Sequence, residues 1–155
     1  MRFAEIMEDS EPKNGLYVCV KFDKQTVKDL SKFVDDFKIK NPIVPSRYHT
    51  TIVYSKKPLF WRAEHDIGHE AKATGWEVWE DHNTKKPVLV LHLESSYLRT
   101  RFDLAMSRGA SYDFPEYNPH ISFSYDAGEG FDVESLPVPE FPIIIDKEIA
   151  EPLKP

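Results

Sequence analysis

The chain is poor in cysteine, carries no long hydrophobic run and has no surplus of positive charge. Its single cysteine, Cys19, rules out a disulfide framework and points to a reducing compartment. No apolar stretch approaches the length needed to cross a bilayer. The acidic, interrupted segment from Met1 to Lys13 lacks the basic flank and apolar core of a signal peptide. A cytoplasmic, membrane-free protein is expected. The net charge is −6, so a surface that tracks a long nucleic acid is excluded, since that mode needs a basic face. A small nucleotide in a local pocket is not excluded. The excess lies in the last thirty residues, where Asp126, Glu129, Asp132, Glu134, Glu140, Asp146, Glu148 and Glu151 face only Lys147 and Lys154.

What is present is an ordinary globular composition, 41% apolar and 13% aromatic over 155 residues. That is enough chain for one domain with a working core. Gly15 to Phe22 reads as a strand. Asp23 can cap a helix whose apolar stripe is Val27, Leu30, Phe33, Val34 and Phe37. Asn41-Pro42 and Pro45 make a loop, and Tyr48 to Ser55 reads as a second strand carrying His49. Lys56 to Lys86 is polar and mixed, with a short strand expected at Trp76 to Trp79. Val88 to Leu93 is a strand. Ser95 or Ser96 can cap a second helix that Gly109 ends. A loop with Pro115 and Pro119 leads into a strand from His120 to Tyr125, and a last strand is expected at Phe141 to Ile145, ending near Glu148.

The order of elements repeats. Each half runs strand, helix, proline loop, then a strand opening on a histidine motif: His49-Thr50-Thr51 first, His120-Ile121-Ser122 second. In a strand, residues two apart share a face. His49 then lies with Thr51 and His120 with Ser122, while Thr50 and Ile121 point the other way. Two imidazoles and two hydroxyls converging on one cleft suit a phosphodiester. One neutral imidazole accepts a proton from the attacking group, and the other, protonated, gives a proton to the leaving oxygen. The hydroxyls donate to the non-bridging oxygens. No metal or other cofactor is required. His65 and His69 have a metal-compatible spacing, but Gly68 weakens a helix there and no third ligand is evident; a solvated lid over the cleft is the favoured reading. His92 reads as a core or cleft-wall histidine and His82 as a turn residue. Lys56, Lys57 and Arg62, like Arg47 and Arg108, read first as solvated loop charges, with phosphate attraction at the cleft mouth as the functional alternative.

Tyr48-His49-Thr50-Thr51-Ile52 and Pro119-His120-Ile121-Ser122-Phe123 resemble the paired motifs of the two-histidine phosphoesterase superfamily. Within it, Gly15-Leu16-Tyr17-Val18 through Asn41-Pro42 to His49-Thr50-Thr51 resembles the phage anti-CBASS cyclic-oligonucleotide phosphodiesterases. The resemblance implies an α+β, bilobal fold, with two pseudo-symmetric antiparallel sheets flanked by helices around a central cleft. The whole chain would be one domain, with residues 1–14 as an N-terminal extension and with lobes that exchange strands. It implies metal-independent hydrolysis of 3′–5′ bonds in cyclic di- and trinucleotide messengers to linear products, countering bacterial CBASS immunity in the infected host's cytoplasm. His49 and His120 would be the acid/base pair, with Thr51 and Ser122 holding phosphate. Tyr17 would contact substrate, Glu148 would lie in an adenine pocket, and Trp79 or Trp76 would cover a base. The same site could instead open RNA 2′,3′-cyclic phosphates or act on 2′–5′ linkages. A cyclic-nucleotide sponge without turnover is the non-enzymatic alternative.

Overall fold

Local signals account for both helices in the computed structural model, which describes residues 14–153. The strand β1 (Leu16–Phe22) ends at Asp23, whose Oδ1 accepts from the Thr26 backbone N–H at 2.8 Å and caps α1 (Lys24–Asp36). That bond satisfies one of the four amides a helix start leaves unpaired. Ser95 does the same for α2 (Ser96–Ser107), accepting from the Leu98 N–H at 3.2 Å. Gly109 leaves that helix with φ +97°, a left-handed turn that glycine adopts without steric penalty. Of the apolar stripe of α1, Leu30 and Val34 are fully buried.

The remaining strands are β2 (Thr50–Ser55), β3 (His69–Glu80), β4 (Pro87–Glu94), β5 (His120–Ser124) and β6 (Ile143–Pro152). They form one antiparallel sheet in the order β2-β1-β6-β3-β4-β5. This gives two triplets, β2-β1-β6 and β3-β4-β5. They join where the first residues of β3, His69 to Ala71, pair with Ile145 to Ile143 of β6. The helices cover the two core faces crosswise. Phe33 of α1 stacks on Trp76 of β3, and Tyr97 and Arg101 of α2 reach Glu148 on β6. The result is the α+β arrangement that the resemblance implied, its two pseudo-symmetric halves being triplets of one continuous antiparallel sheet.

Three expectations are corrected. The middle strand runs from His69 to Glu80, not from Trp76 to Trp79. Its alternation was hidden because the register shifts between Ala73 and Gly75. Ala71 and Ala73 face the core before the shift, Trp76 and Val78 after it, so the period of two changes phase in mid-strand. The segment read as a solvated lid is fastened to β6: the Ile67 and Gly68 amides donate to the carbonyls of Asp146 and Ile145, each at 2.8 Å. The last strand extends to Pro152 because β6 pairs along the whole length of β1.

The outer edges of the sheet are tied to one another. The first proline loop crosses to β5, where the Ile43 amide donates to the Phe123 carbonyl at 2.8 Å and Tyr48 packs on Phe123. The second crosses to β2, where Tyr117 Oη donates to the Thr51 carbonyl at 2.7 Å and the Ser111 amide donates to Ser55 Oγ at 2.9 Å. These reciprocal ties draw β2 and β5 together, so the sheet curls and its two histidine strands meet.

Candidate active site

Each histidine is built the same way. His49 Nδ1 lies 2.8 Å from the Arg47 carbonyl, and His120 Nδ1 lies 2.8 Å from the Asn118 carbonyl. A carbonyl can only accept, so each Nδ1 carries a proton and donates it. This fixes the tautomer and the ring plane, and leaves Nε2 as the unprotonated nitrogen of each neutral ring. The same step of two residues back along the chain supplies both bonds, which is the repeat seen in the sequence expressed as chemistry.

The hydroxyls follow. Thr51 pairs in register with Cys19, and its Oγ1 lies 3.3 Å from Tyr17 Oη. Ser122 pairs with Val90; both hydroxyl residues are half-buried. Thr50 and Ile121 point into the core, fully buried. Burial pushes the Tyr17 phenol well above its ordinary range, with smaller contributions from Cys19 and Glu151 and a partly opposing bond from Thr51. Tyr17 therefore stays protonated and can donate. Burial, joined by the rings of His92 and His49, holds His120 below the ordinary histidine value despite the opposing Asn118 bond.

The structure separates the two tryptophans offered for base contact. Trp79 stands edge-on to His120, with ring centroids 4.6 Å apart, on the histidine face. Trp76 lies on the opposite face, stacked on Phe33 at 5.4 Å, with its Nε1 donating to the Pro137 carbonyl at 2.9 Å. The register shift in β3 sends the two apart, and Trp76 is a packing residue. Trp61 and Tyr112 are packing residues too: Trp61 is buried beneath the Arg101 guanidinium, and Tyr112 packs on Phe102.

Glu148 is not an open adenine acceptor in this arrangement. Its Oε1 accepts from Trp61 Nε1, the Glu64 amide and Arg101 Nη2, and its Oε2 accepts from Tyr97 Oη and Arg101 Nε. Its register partner is Val20, so it faces the core side of β6, and an incoming amino group would have to displace an existing donor. Burial alone would raise its pKa. The Arg101 and Tyr97 bonds, the Arg101 charge and the Trp61 N–H outweigh that and hold the carboxyl below the usual range.

Sequence reasoning missed the pair His92 and Glu77. His92 Nε2 lies 2.6 Å from Glu77 Oε1, and His92 is the register partner of His120. Only pairing across strands brings these positions together, though the alternation of β4 already placed His92 with Val88 and Val90. Among the described residues, no group of three or more His, Cys, Asp or Glu side chains is arranged to hold a metal. His69 instead stacks on Tyr97. Of the basic loop residues, Lys56 pairs with Asp113 at 3.3 Å.

Comparison with known proteins agrees with this geometry. The family model described as Anti-CBASS protein Acb1 matches residues 14–155. The Anti-CBASS protein Acb1 of Yersinia phage phiR1-RT is 35% identical over 146 residues, covering 93% of this chain and 92% of the relative. That of Enterobacteria phage T4 is 34% identical over 152 residues, covering 96% and 95%. The fold is similar to that of E. coli LigT complexed with NADP+, with a TM-score of 0.57 at 14% identity over 90% of this chain and 86% of that one. The phosphate complex of LigT gives a TM-score of 0.53 at 15% identity, over 91% and 87%. At such low identity LigT speaks to the fold alone, whereas the phage relatives and the family model establish kinship: the chain belongs to the anti-CBASS Acb1 family.

Proposed function

We propose that this protein hydrolyses 3′–5′ phosphodiester bonds of cyclic di- and trinucleotide messengers to linear products, without a metal, and so counteracts CBASS immunity. The observation that carries the reading is the matched pair of histidines, each with Nδ1 committed to a carbonyl and Nε2 left for chemistry. The family name supplies the biological setting.

The chemistry follows from the groups present. The scissile phosphate sits between the two Nε2 atoms. One Nε2 lone pair takes the proton of the attacking hydroxyl as its oxygen bonds to phosphorus. The opposite Nε2–H passes its proton to the departing ribose oxygen, so no alkoxide has to leave. Thr51 and Ser122 donate to the non-bridging oxygens, where negative charge grows. Tyr17, protonated and beside Thr51, orients that hydroxyl or reaches the same oxygens. Trp79, on the His120 side, offers an aromatic surface to an unstacked base.

The test is chromatography of cyclic di- and trinucleotides after incubation with the protein in excess chelator. Linear products are expected, with His49→Ala and His120→Ala each slowing turnover by roughly 10²- to 10⁴-fold while circular dichroism stays native. Intact cyclic nucleotides bound tightly by the wild type would replace this reading with a sponge. Full activity in both folded variants would remove the histidines from the mechanism.

A further inference from the structure

Two histidines built alike must nevertheless act unlike. One has to be neutral and the other protonated when substrate arrives, and only a difference in surroundings can sort them. The clearest difference between the two halves lies on the middle strand of each triplet. Beside His120, in register on β4, is His92. The corresponding place on β1, one step beyond the Val20–Thr50 pair, is Lys21, whose ammonium is turned away to the Ser46 carbonyl at 3.1 Å.

His92 is itself held. Glu77 on β3 accepts from its Nε2 at 2.6 Å. Because β4 runs between β3 and β5, His92 stands between Glu77 and His120, with the carboxylate on the far side. Trp79 closes the arrangement, its ring edge-on to His120 at 4.6 Å and to His92 at 5.6 Å. The three side chains buttress His120 from one side, while the Asn118 carbonyl fixes its Nδ1.

We infer that the His92–Glu77 pair is a positioning device for His120, fixing its ring against Trp79 and making it the proton acceptor of the pair. The inference rests on the phosphodiesterase reading and adds to it which histidine is the base. His92 on β4 and His49 at the start of β2 both act on His120 in the direction that disfavours a second positive charge. Of the ionisable groups on β1, Tyr17 and Cys19 are both held protonated, chiefly by burial, and contribute no charge, and the Lys21 ammonium donates to the Ser46 carbonyl. Glu77 on β3 faces His92 and Trp79, and its carboxyl is held below the usual range first by the His92 bond and then by the Trp79 N–H.

The deciding experiment is an NMR titration of the His120 ring C–H signals, identified by their loss in His120→Gln, in the wild type and in His92→Gln. The glutamine amide can still donate to Glu77 but does not titrate, so fold and packing are retained while the ionisable neighbour is lost. The His120 midpoint should rise by about half a unit or more, and the acidic limb of kcat/KM should move up with it. Glu77→Ala supplies a second variant: it removes the acceptor and frees the His92 ring, and should lower kcat more than it raises KM. An unchanged His120 midpoint in His92→Gln would overturn the inference, as would a midpoint that moves while the acidic limb stays in place. The titration needs no turnover, so it decides the coupling even where no cyclic nucleotide is cleaved and the phosphodiesterase reading itself has failed.

Discussion

At the residue scale, chemistry and packing divide between side chains of the same type. Trp76 and Trp79 are three positions apart, yet one closes the core on Phe33 and the other stands against His120. Trp76→Ala should lower stability by about 3 kcal/mol in urea denaturation, because it leaves a cavity under α1. Trp79→Ala should leave stability nearly unchanged and raise KM for a cyclic nucleotide roughly tenfold, the loss of one base–aromatic contact. If the two effects were exchanged, the register of β3 described above would be wrong. The histidine motifs themselves were legible, because each three-residue unit carries its own chemistry and recurs in a matching context. Glu77 was not, because a carboxylate on a polar strand has no meaning until the strand beside it is known.

At the element scale, caps and turns follow local rules. Asp23, Ser95 and Gly109 each stand where their side chain, or lack of one, decides a helix boundary. Gly15 shows a tighter requirement. Its φ is +109°, and a Cβ built there would lie 2.1 Å from the Ser55 carbonyl oxygen, at the corner where β1 meets the end of β2. Gly15→Ala should therefore lower the unfolding free energy in urea denaturation by about 1 kcal/mol or more, through both the strained backbone and the forced opening of that corner; a neutral effect would mean the β1–β2 end is freely mobile. The first half of β3 escaped the sequence for the opposite reason. Local rules held on either side of its register shift, but the shift inverted the pattern halfway, so only the later phase, Trp76 to Trp79, reads as a strand.

At the scale of the whole molecule, Glu148 does the work of a clasp. It joins β6, α2 and the segment around Trp61 to Glu64 through Arg101, Tyr97, Trp61 and a backbone amide. Its side chain has no exposed surface and that of Arg101 is 12% exposed. Arg101→Met strands a buried charge and should lower stability by about 3–5 kcal/mol. The pH dependence has a definite sign. The folded-state pKa is depressed, so the pair's contribution is complete above the unfolded carboxylate value of about 4.3. It is lost as pH falls from there through the folded value. Unfolding free energy should therefore drop on acidification over that range, and Glu148→Gln, which does not titrate, should flatten the slope. An equal slope in both proteins would show that Glu148 is not the group responsible.

The sequence by itself determined most of the inventory: both helices, a place for each strand though not the full length of β3 and β6, the two histidine motifs, and the α+β class implied by the resemblance those motifs carry. These depend on neighbours within a few positions, where backbone geometry and side-chain alternation leave little choice. Only the tertiary structure decided which face each tryptophan took, that Glu148 spends its acceptors on Arg101 and Trp61, and that His92 with Glu77 stands beside His120. Those outcomes turn on register between strands far apart in the chain. One residue of slip there carries every side chain to the other face, and no local pattern records it.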